Sequence, residues 1–312
     1  MSVIEVKNVT KDYGQGRGIF DLSFEVAEGE VFGFLGPNGA GKSTTIRHLM
    51  GFSKVDEGEL FVNGKNSWRA AAKIKKDVGY LPGELAFPKG MTGEQFIAYM
   101  AKERKISDMK RTNELKVLFE LDPSKKIKEM SLGERRKLAV VTAFMHDPRI
   151  LILDEPTSGL DPVMQERFIQ FILREKSAGK TILLSSHIFT EVEATCDRIA
   201  IIKDGFLVST VEADELKRNT NKSFKIEFST FSDYQSFIEN TAFKISVKRP
   251  KQNQIKLTLK DQELQKFFEE LSEQKLNFLS EIKFTLEDYF MDFYDRKKSL
   301  ADGEENLEYG LH

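Results

Sequence analysis

The sequence contains one cysteine and no long apolar run. A single thiol, Cys196, cannot form an intrachain disulfide, so a fold stapled by disulfides is excluded. The longest apolar candidate, Leu138 to Met145, includes Thr142 and is far shorter than the roughly 20 residues that span a bilayer. The residues after Met1 lack the charged-then-apolar profile of a signal peptide. We therefore expect a cytosolic protein, or one held on the cytosolic face of a membrane.

The chain also lacks an excess of charge of either sign. Its 312 residues include 47 Lys and Arg and 49 Asp and Glu, which gives a net charge of −2. A near-neutral chain has no overall electrostatic attraction to nucleic acid, and we interpret the basic stretch Lys65 to Lys76 as a solvated face. Apolar residues make up 40% of the chain, so two domains can each bury a core.

Residues 1–217 predict an α/β domain, with a helical stretch over about residues 87–147. Short apolar runs typical of strands alternate with helical segments in its second half, which indicates a mostly parallel sheet. The predicted strands are Val3–Val9, Phe20–Val26, Glu30–Leu35, Gly58–Val62, Ile150–Leu153, Thr181–Ser185 and Ile199–Ile202, and the last three are separated by helices over Pro162–Ser177 and Ile188–Cys196.

A second, smaller domain is predicted over residues 218–300. The polar stretch Lys217 to Lys222 is typical of a linker, and the pattern after it predicts the order β-α-β-β-α-β of a ferredoxin-like α+β domain. In its second predicted helix, Leu264, Phe267, Phe268 and Leu271 follow the spacing of one helical face. Residues 301–312 are acidic and predict a flexible tail.

The segment from Gly36 to Ser43 (GPNGAGKS) fits the pattern Gly-x4-Gly-Lys-Ser/Thr, between a buried strand and a helix that ends near Met50. Glycines let the backbone turn its amide groups inward, and the helix N-terminus adds positive charge where a phosphate would lie. Lys42 would reach the β- and γ-phosphates, and the Ser43 hydroxyl would bind Mg²⁺. The alternative, a plain glycine-rich turn, does not account for the strand–loop–helix context.

A second motif ends the apolar run Ile150–Leu153 with Asp154 and Glu155. A carboxylate at the end of a buried strand suits the Mg²⁺ side of a nucleotide site, and the next carboxylate can orient or deprotonate the attacking water. Neighbouring strand residues point to opposite faces, so the two acids need not share a role. Alone, the pair could simply terminate a strand; about 110 residues after a phosphate loop it points to a nucleotide site.

With these motifs the chain resembles an ATP-binding subunit of an ABC transporter, over about residues 3–215. Met130 to Glu134 (MSLGE) is similar to the family's LSGGQ signature. Leu153 to Pro162 is similar to the Walker B stretch that runs into the D-loop. Ser185-Ser186-His187 resembles the H-loop, and Tyr13 matches the aromatic residue that stacks on adenine.

The resemblance implies a P-loop NTPase cassette with an antiparallel β subdomain and a helical subdomain. Two subunits would pack head to tail around two ATP molecules with Mg²⁺, and closure on ATP would drive a separate transmembrane permease. Ser131 and Gly133 would open a helix facing the γ-phosphate on the partner. The implied nucleotide contacts are Tyr13, Gly36, Asn38, Gly39, Gly41, Lys42, Ser43, Thr44, Ser131, Gly133 and Asp161; Ser43 and Asp154 would bind the metal, and Glu155 and His187 would be catalytic.

The implied partners are the permease and a second copy of an ATPase subunit, with no nucleic acid, at the cytoplasmic face of the membrane. The chain departs from the family pattern at Leu132, usually Gly, and at Glu134, usually Gln. Gly83, followed by Glu84, stands where the Q-loop glutamine is expected, so what replaces its side chain is open. These variants, and the segment Phe284–Phe290, resemble exporters whose permease is a separate six-helix chain.

Two other functions remain possible from the sequence: a soluble ABC ATPase acting on ribosomes or DNA, and a nucleotide-gated regulatory module. The single cassette and the lack of a sustained heptad run weigh against the first, and Glu155 and His187 weigh against the second. His48 and His146 have no metal-ligand spacing and are interpreted as structural. The stripe Phe96, Ile97, Tyr99 and Met100 either packs within the helical stretch or lines a groove for a permease helix.

Overall fold

The computed structural model describes residues 1–217, 221–282, 285–288 and 290. Its strands are β1 Ser2–Asp12, β2 Gly18–Ala27, β3 Val31–Leu35, β4 Glu57–Val62, β5 Lys65–Asn66, β6 Val78–Leu81, β7 Ile150–Asp154, β8 Thr181–Ser186, β9 Arg198–Lys203, β10 Phe206–Glu212, β11 Asn221–Phe228, β12 Ile245–Arg249, β13 Gln254–Lys260 and β14 Leu276–Ile282. Its α-helices are α1 Lys42–Leu49, α2 Ala71–Asp77, α3 Gly93–Glu103, α4 Lys110–Leu118, α5 Leu132–Phe144, α6 Pro162–Ser177, α7 Phe189–Thr195, α8 Ala213–Lys217, α9 Phe231–Asn240 and α10 Leu264–Ser272.

The chain forms two compact units that divide between Ala213 and Asp214. The predicted boundary, after residue 217, lies four residues further on. Most of the predicted linker, residues 218–220, and the whole predicted tail, 301–312, lie outside the described residues. None of the helices in the described ranges is both long and apolar enough to cross a bilayer.

The first unit contains two sheets. The larger has the order β10-β9-β3-β8-β7-β6, in which all neighbours are parallel except the antiparallel pair β9–β10. The mostly parallel sheet that the sequence predicts is therefore confirmed. Strands β3, β7 and β8 are buried along their whole length, as expected for strands covered on both faces. The second sheet is antiparallel, with the order β2-β1-β4-β5.

The helical stretch contains α3, α4, a short 3₁₀ turn at Ile127–Glu129, and α5. Thr92 and Ser131 each begin a helix with reciprocal capping hydrogen bonds, to Gln95 and Glu134 respectively. The aromatic stripe on α3 is divided: Ile97 is buried, whereas Tyr99 is 45% exposed.

The second unit has the element order β-α-β-β-α-β over β11 to β14, the order that the sequence predicts. Its antiparallel sheet has the strand order β12-β13-β11-β14. Alternate β11 residues, Phe224, Ile226 and Phe228, form one core with Phe237 of α9 and Phe267 of α10. The last strand of this predicted order is described as β14, Leu276–Ile282, and residues 283 and 284 lie outside the described part.

Candidate functional site

The phosphate-loop motif lies between β3 and α1, the setting that its sequence predicts. Gly39 and Gly41 have φ values of +83° and +108°, a left-handed backbone that favours glycine. A Cβ at Gly36 would overlap the carbonyl of Ile202 on β9. Thr45, Ile46 and Leu49 bury one side of α1, which fixes the direction of its N-terminus. The loop is therefore held in shape by the sheet beneath it.

Lys42 is the buried cation of this loop, with only 5% of its surface exposed. Its Nζ donates to the carbonyls of Gly36 at 2.6 Å and Pro37 at 3.2 Å. The same Nζ lies 3.1 Å from Glu155 Oε1, in an ion pair. A cation surrounded by neutral carbonyls and one carboxylate is suited to exchange that carboxylate for a phosphate.

Asp154 and Glu155 occupy different positions at the end of β7. Asp154 is buried, and its Oδ1 accepts a hydrogen bond of 2.6 Å from Ser185 Oγ on the adjacent β8. Glu155 has a φ of +49°, an uncommon conformation for a non-glycine residue that is often found at functional sites. This turn directs the Glu155 side chain to Lys42 and to His187. The sequence predicts that these two carboxylates point to different faces of the strand, and in the structure they contact different partners.

His187 follows β8, and its Nδ1 lies 2.6 Å from Glu155 Oε2, within hydrogen-bond distance. The preceding residue, Ser186, donates from its Oγ to Glu191 Oε2 at 2.6 Å and accepts from the amide of Ile188 at 2.9 Å. Burial raises the pKa of Glu191 to about 7, and the charge of Glu155 adds to that shift. Glu191 therefore supports the turn that carries His187, a role the sequence did not suggest.

A cavity of about 840 Å³ brings together five of the fourteen predicted site residues. It is lined by Asn38, Ser43, Asp154, Glu155 and His187. Lys42 is not a lining residue, but it forms an ion pair with Glu155. The lining also includes the apolar and aromatic side chains of Phe52, Tyr80 and Leu85. Burial, with the charge of Asp154, raises the pKa of Tyr80 to about 12, so this phenol stays protonated at neutral pH.

Nine of the eleven predicted nucleotide contacts are not among the residues that line this cavity. Five of them belong to the phosphate loop and the first turn of α1: Gly36, Gly39, Gly41, Lys42 and Thr44. The other four, Tyr13, Ser131, Gly133 and Asp161, lie in other segments. Tyr13 is 57% exposed, and its hydroxyl lies 3.4 Å from His48 Nε2 on α1. His48, interpreted as structural from the sequence, thus contacts the predicted adenine-stacking ring. Asp161 caps α6 by accepting a hydrogen bond from the Met164 amide at 2.9 Å.

Ser131 begins α5, as the sequence predicts for the signature segment. Its Oγ accepts from the Glu134 amide at 3.1 Å, and Glu134 Oε2 accepts from the Ser131 amide at 2.8 Å. Lys125 and these cap bonds lower the pKa of Glu134 to about 2. The departure from glutamine therefore provides a capping carboxylate. Leu132, the other departure, is 52% exposed beside Gly159.

The donor set in the cavity fits a hard divalent cation. The Ser43 hydroxyl and the Asp154 carboxylate are oxygen ligands of the kind that Mg²⁺ prefers when a nucleotide supplies further oxygens. No cluster of three or more His, Cys, Asp or Glu suited to a metal occurs among the described residues. The site therefore fits a metal that arrives with phosphates, and does not form an all-protein cage.

Sequence reasoning missed Arg136 on α5. Its guanidinium is buried and donates to the carbonyls of Pro82, Gly83 and Ser158, and all three residues line the cavity that Asp154 also lines. The available signal was its spacing: Arg136 lies four residues before Val140, on the buried face of the helix. A cation at such a position needs a polar partner elsewhere in the fold.

Comparison with known proteins gives consistent matches. A family model described as ABC transporter matches residues 19–158. YhcH of Bacillus subtilis, an uncharacterized ABC transporter ATP-binding protein, is 38% identical over 72% of this chain and 76% of its own. The bacitracin transport ATP-binding protein BcrA of Bacillus licheniformis is 33% identical over 73% and 76%. MJ1023 of Methanocaldococcus jannaschii, also an uncharacterized ABC transporter ATP-binding protein, is 34% identical over 93% and 98%.

Solved structures match the first part of the fold. The structure of an ATP binding subunit of an ABC transporter is 28% identical, with a TM-score of 0.63, covering 70% of this chain and 92% of that one. A dimeric post-hydrolysis structure of the cassette MJ0796 with ADP and Pi is 24% identical, with a TM-score of 0.61, covering 67% and 98%. At that identity the second likeness concerns the fold alone.

Proposed function

The chain belongs to the ABC transporter family as an ATP-binding protein, and on that premise we propose that it hydrolyses ATP with Glu155 and His187 to drive export through a separate transmembrane permease. The observation that carries the catalytic part is the convergence of Lys42, Glu155 and His187. Lys42 lies 3.1 Å from one oxygen of Glu155 and His187 Nδ1 lies 2.6 Å from the other, beside Asp154 and Ser43. In this proposal the three residues serve as the phosphate cation, the general base and the group that orients the base.

Lys42 is the phosphate cation in this proposal. The phosphates of ATP compete with Glu155 for its ammonium group, and the inward amides of the glycine loop and the N-terminus of α1 add to the attraction. Ser43 and Asp154 would hold Mg²⁺, which when bound neutralises phosphate charge. Asn38 and Thr44 complete the set of loop side chains assigned to the nucleotide.

Glu155 is the proposed general base. Once the phosphates take Lys42, the carboxylate loses its cation and becomes a better proton acceptor for the attacking water. His187 donates to Glu155 from Nδ1 in this arrangement, which fixes the orientation of the carboxylate and leaves Nε2 for the γ-phosphate. Ser186 and Glu191 hold the backbone on which His187 lies.

The second copy of the chain would complete the site from the other side. Ser131 and Gly133 at the start of α5, with Asp161 at the start of α6, are the residues we assign to the partner's nucleotide. None of these three residues lines the cavity of its own chain. The MJ0796 cassette, which shares the fold, is described as dimeric. Tyr13, held beside His48, is assigned to adenine.

A permease would dock on the helical stretch and so place the protein at the membrane. Phe87 and Phe96 make an edge-to-face contact with ring centroids 5.1 Å apart, and Tyr99 on the same helix is exposed. This surface follows directly after the loop that begins at Pro82. Movement of that loop with the nucleotide would therefore reach the permease contact.

The second unit is proposed as an accessory domain, from about residue 218 to 300, followed by the tail 301–312. The relative MJ1023 aligns over 295 residues, which supports the view that both units recur together.

Mg²⁺-dependent ATP hydrolysis by the purified chain tests the enzymatic part. We expect Glu155→Gln to bind ATP and to hydrolyse it at least about 100-fold more slowly, because the amide cannot accept the proton. Wild-type turnover equal to that of Glu155→Gln would contradict the assignment. Recovery from detergent-solubilised membranes with a membrane-spanning chain tests the transporter part, and recovery with ribosomes and no such chain would refute it.

A further inference from the structure

Arg136 is a buried cation, and all of its hydrogen bonds among the described residues go to main-chain carbonyls. Its Nε donates to Ser158 at 3.0 Å, and its two terminal nitrogens donate to Pro82 and Gly83 at 2.8 Å each. The side chain is 2% exposed and forms no ion pair with any carboxylate of the described residues. A rigid, planar fork of donors is what such a three-way contact requires, and lysine cannot reproduce it.

Gly83, whose carbonyl accepts a hydrogen bond from Arg136, lies where there is no room for a side chain. A Cβ at position 83 would lie 2.8 Å from Asp154 Oδ2 and 3.2 Å from Asp154 Cγ. Asp154 cannot easily move away, because its other oxygen accepts the 2.6 Å hydrogen bond from Ser185. The glycine at this position is therefore required by the closeness of the loop to the metal-side carboxylate.

The third acceptor, Ser158, lies in the turn that packs against the start of α5. A Cβ at Gly159 would lie 2.8 Å from the side chain of Leu132, and one at Gly133 would lie 3.0 Å from the carbonyl of Gly159. Leu132 and Gly133 belong to the signature segment. Arg136 therefore joins three parts of the site: the loop at Pro82, the turn at Ser158 and the helix that the signature segment begins.

We propose that Arg136 is a positioning residue that holds the loop at Pro82–Gly83 and the turn at Ser158 as one unit beside Asp154. This inference rests on the proposed function. In this chain the loop contributes backbone, and no side chain, at the position where the family has glutamine. The guanidinium fixes that backbone close enough to Asp154 to keep other protein side chains from its Oδ2, which leaves this oxygen to the metal.

Hydrogen exchange on the full chain without nucleotide tests the unit directly. Arg136→Lys keeps the charge but loses the planar guanidinium that donates in three directions. We expect this variant to speed amide exchange by about tenfold both in residues 83–86 and in residues 158–160. Exchange in β7 and in the rest of α5 should be unchanged. Arg135→Lys, the neighbouring arginine with no hydrogen bond to either segment, is the matched control. Faster exchange in only one segment, or in neither, would overturn the proposal.

Gly83→Ala tests the same geometry without removing a buried charge. We expect its dissociation constant for ATP to rise about tenfold in Mg²⁺ and to change less than about twofold in EDTA, because the added methyl group crowds the Asp154 carboxylate and leaves the phosphate loop intact. Equal weakening in both buffers, or no change in either, would refute the role of position 83. Wild-type protein that binds no ATP would refute the proposed function instead, while the exchange experiment would still decide the role of Arg136.

Discussion

The two compact units differ in what they bury. In the first unit several charged side chains are buried, and Lys42, Arg136, Asp154 and Glu191 all lie at or next to the nucleotide cavity. Glu175 is also buried, in a separate network with Lys180 and Arg111. In the described part of the second unit, every buried side chain is aliphatic or aromatic.

Buried charge is costly unless it is paired, so a protein retains it where a function or a network requires it. The first unit tolerates its buried charges because each has partners in a neighbouring element. The second unit has no such requirement in its interior, and its core contributes stability alone. This difference can be tested with a variant of the first unit that changes ATP binding and a variant of the second unit that changes stability.

The largest expected effect is on ATP binding. Lys42→Ala removes the phosphate cation, and we expect ATP affinity to fall at least about 100-fold, with little change in the unfolding of either unit. Titration with ATP and thermal unfolding measure both quantities. Lys89→Ala, an exposed lysine, is the matched control. Unchanged affinity in Lys42→Ala would contradict the site.

Phe267→Ala should do the reverse. Phe267 is fully buried against Phe224 and Phe243, so its truncation should destabilise the second unit by about 3–5 kcal/mol. ATP binding by the first unit should be unaffected. The exposed neighbour Phe268 gives the control Phe268→Ala. If Phe267→Ala lost ATP affinity at a temperature where the first unit is folded, the core of the second unit would also affect ATP binding, and the comparison would be wrong.

Glu191→Gln tests a buried charge by its pH dependence. The pKa of Glu191 is about 7 when folded and about 4.5 when unfolded. Between those values the folded chain holds a proton that the unfolded chain lacks, so the free energy of unfolding falls as the pH rises. The full difference, about 3 kcal/mol, is lost by pH 8. The uncharged glutamine does not titrate, so the variant should gain stability relative to wild type between pH 5 and pH 8.

Urea unfolding at pH 5 and pH 8 measures this difference. Glu193→Gln, on the same helix and less buried, is the control. If the stability of Glu191→Gln relative to wild type were the same at both pH values, Glu191 would not carry the proposed proton.

The smallest effect is expected at a helix cap in the second unit. Thr230 Oγ1 accepts from the amide of Asp233 at 3.1 Å and begins α9. Thr230→Ala should lower stability by about 1 kcal/mol, because one amide loses its acceptor. Chemical unfolding measures it against Ser232→Ala, at an exposed position of the same helix. A loss above about 3 kcal/mol would indicate a larger role for this end of the helix.

The sequence predicted well those elements that begin or end at a capping residue or at a recognisable motif. The predicted helix Pro162–Ser177 has the observed bounds, because Asp161 caps it and Pro162 suits the first turn. The phosphate loop was predictable because its glycines, Lys42 and Ser43 are adjacent in sequence. The positions of Ser131 and His187, at the start of a helix and after a strand, followed in the same way.

What the sequence could not supply depends on contacts between distant segments. β6 contains Gly79 and is only four residues long, so its alternation is not visible without its partner β7. The proximity of Arg136 to Gly83 joins residues 53 positions apart. The departures at Gly83 and Glu134 were visible as substitutions, but their reasons, the closeness of Asp154 and the cap on Ser131, required the fold.

The closeness of Gly83 to Asp154 also limits how this sequence can change. Any residue with a Cβ at position 83 meets the Asp154 carboxylate that we assign to the proposed metal site, so restoring the family's glutamine in one step would disturb that carboxylate. The backbone would first have to move away, and Arg136 holds it. Two positions in different segments would therefore have to change together, which makes the glycine loop a feature that descendants of this chain should keep.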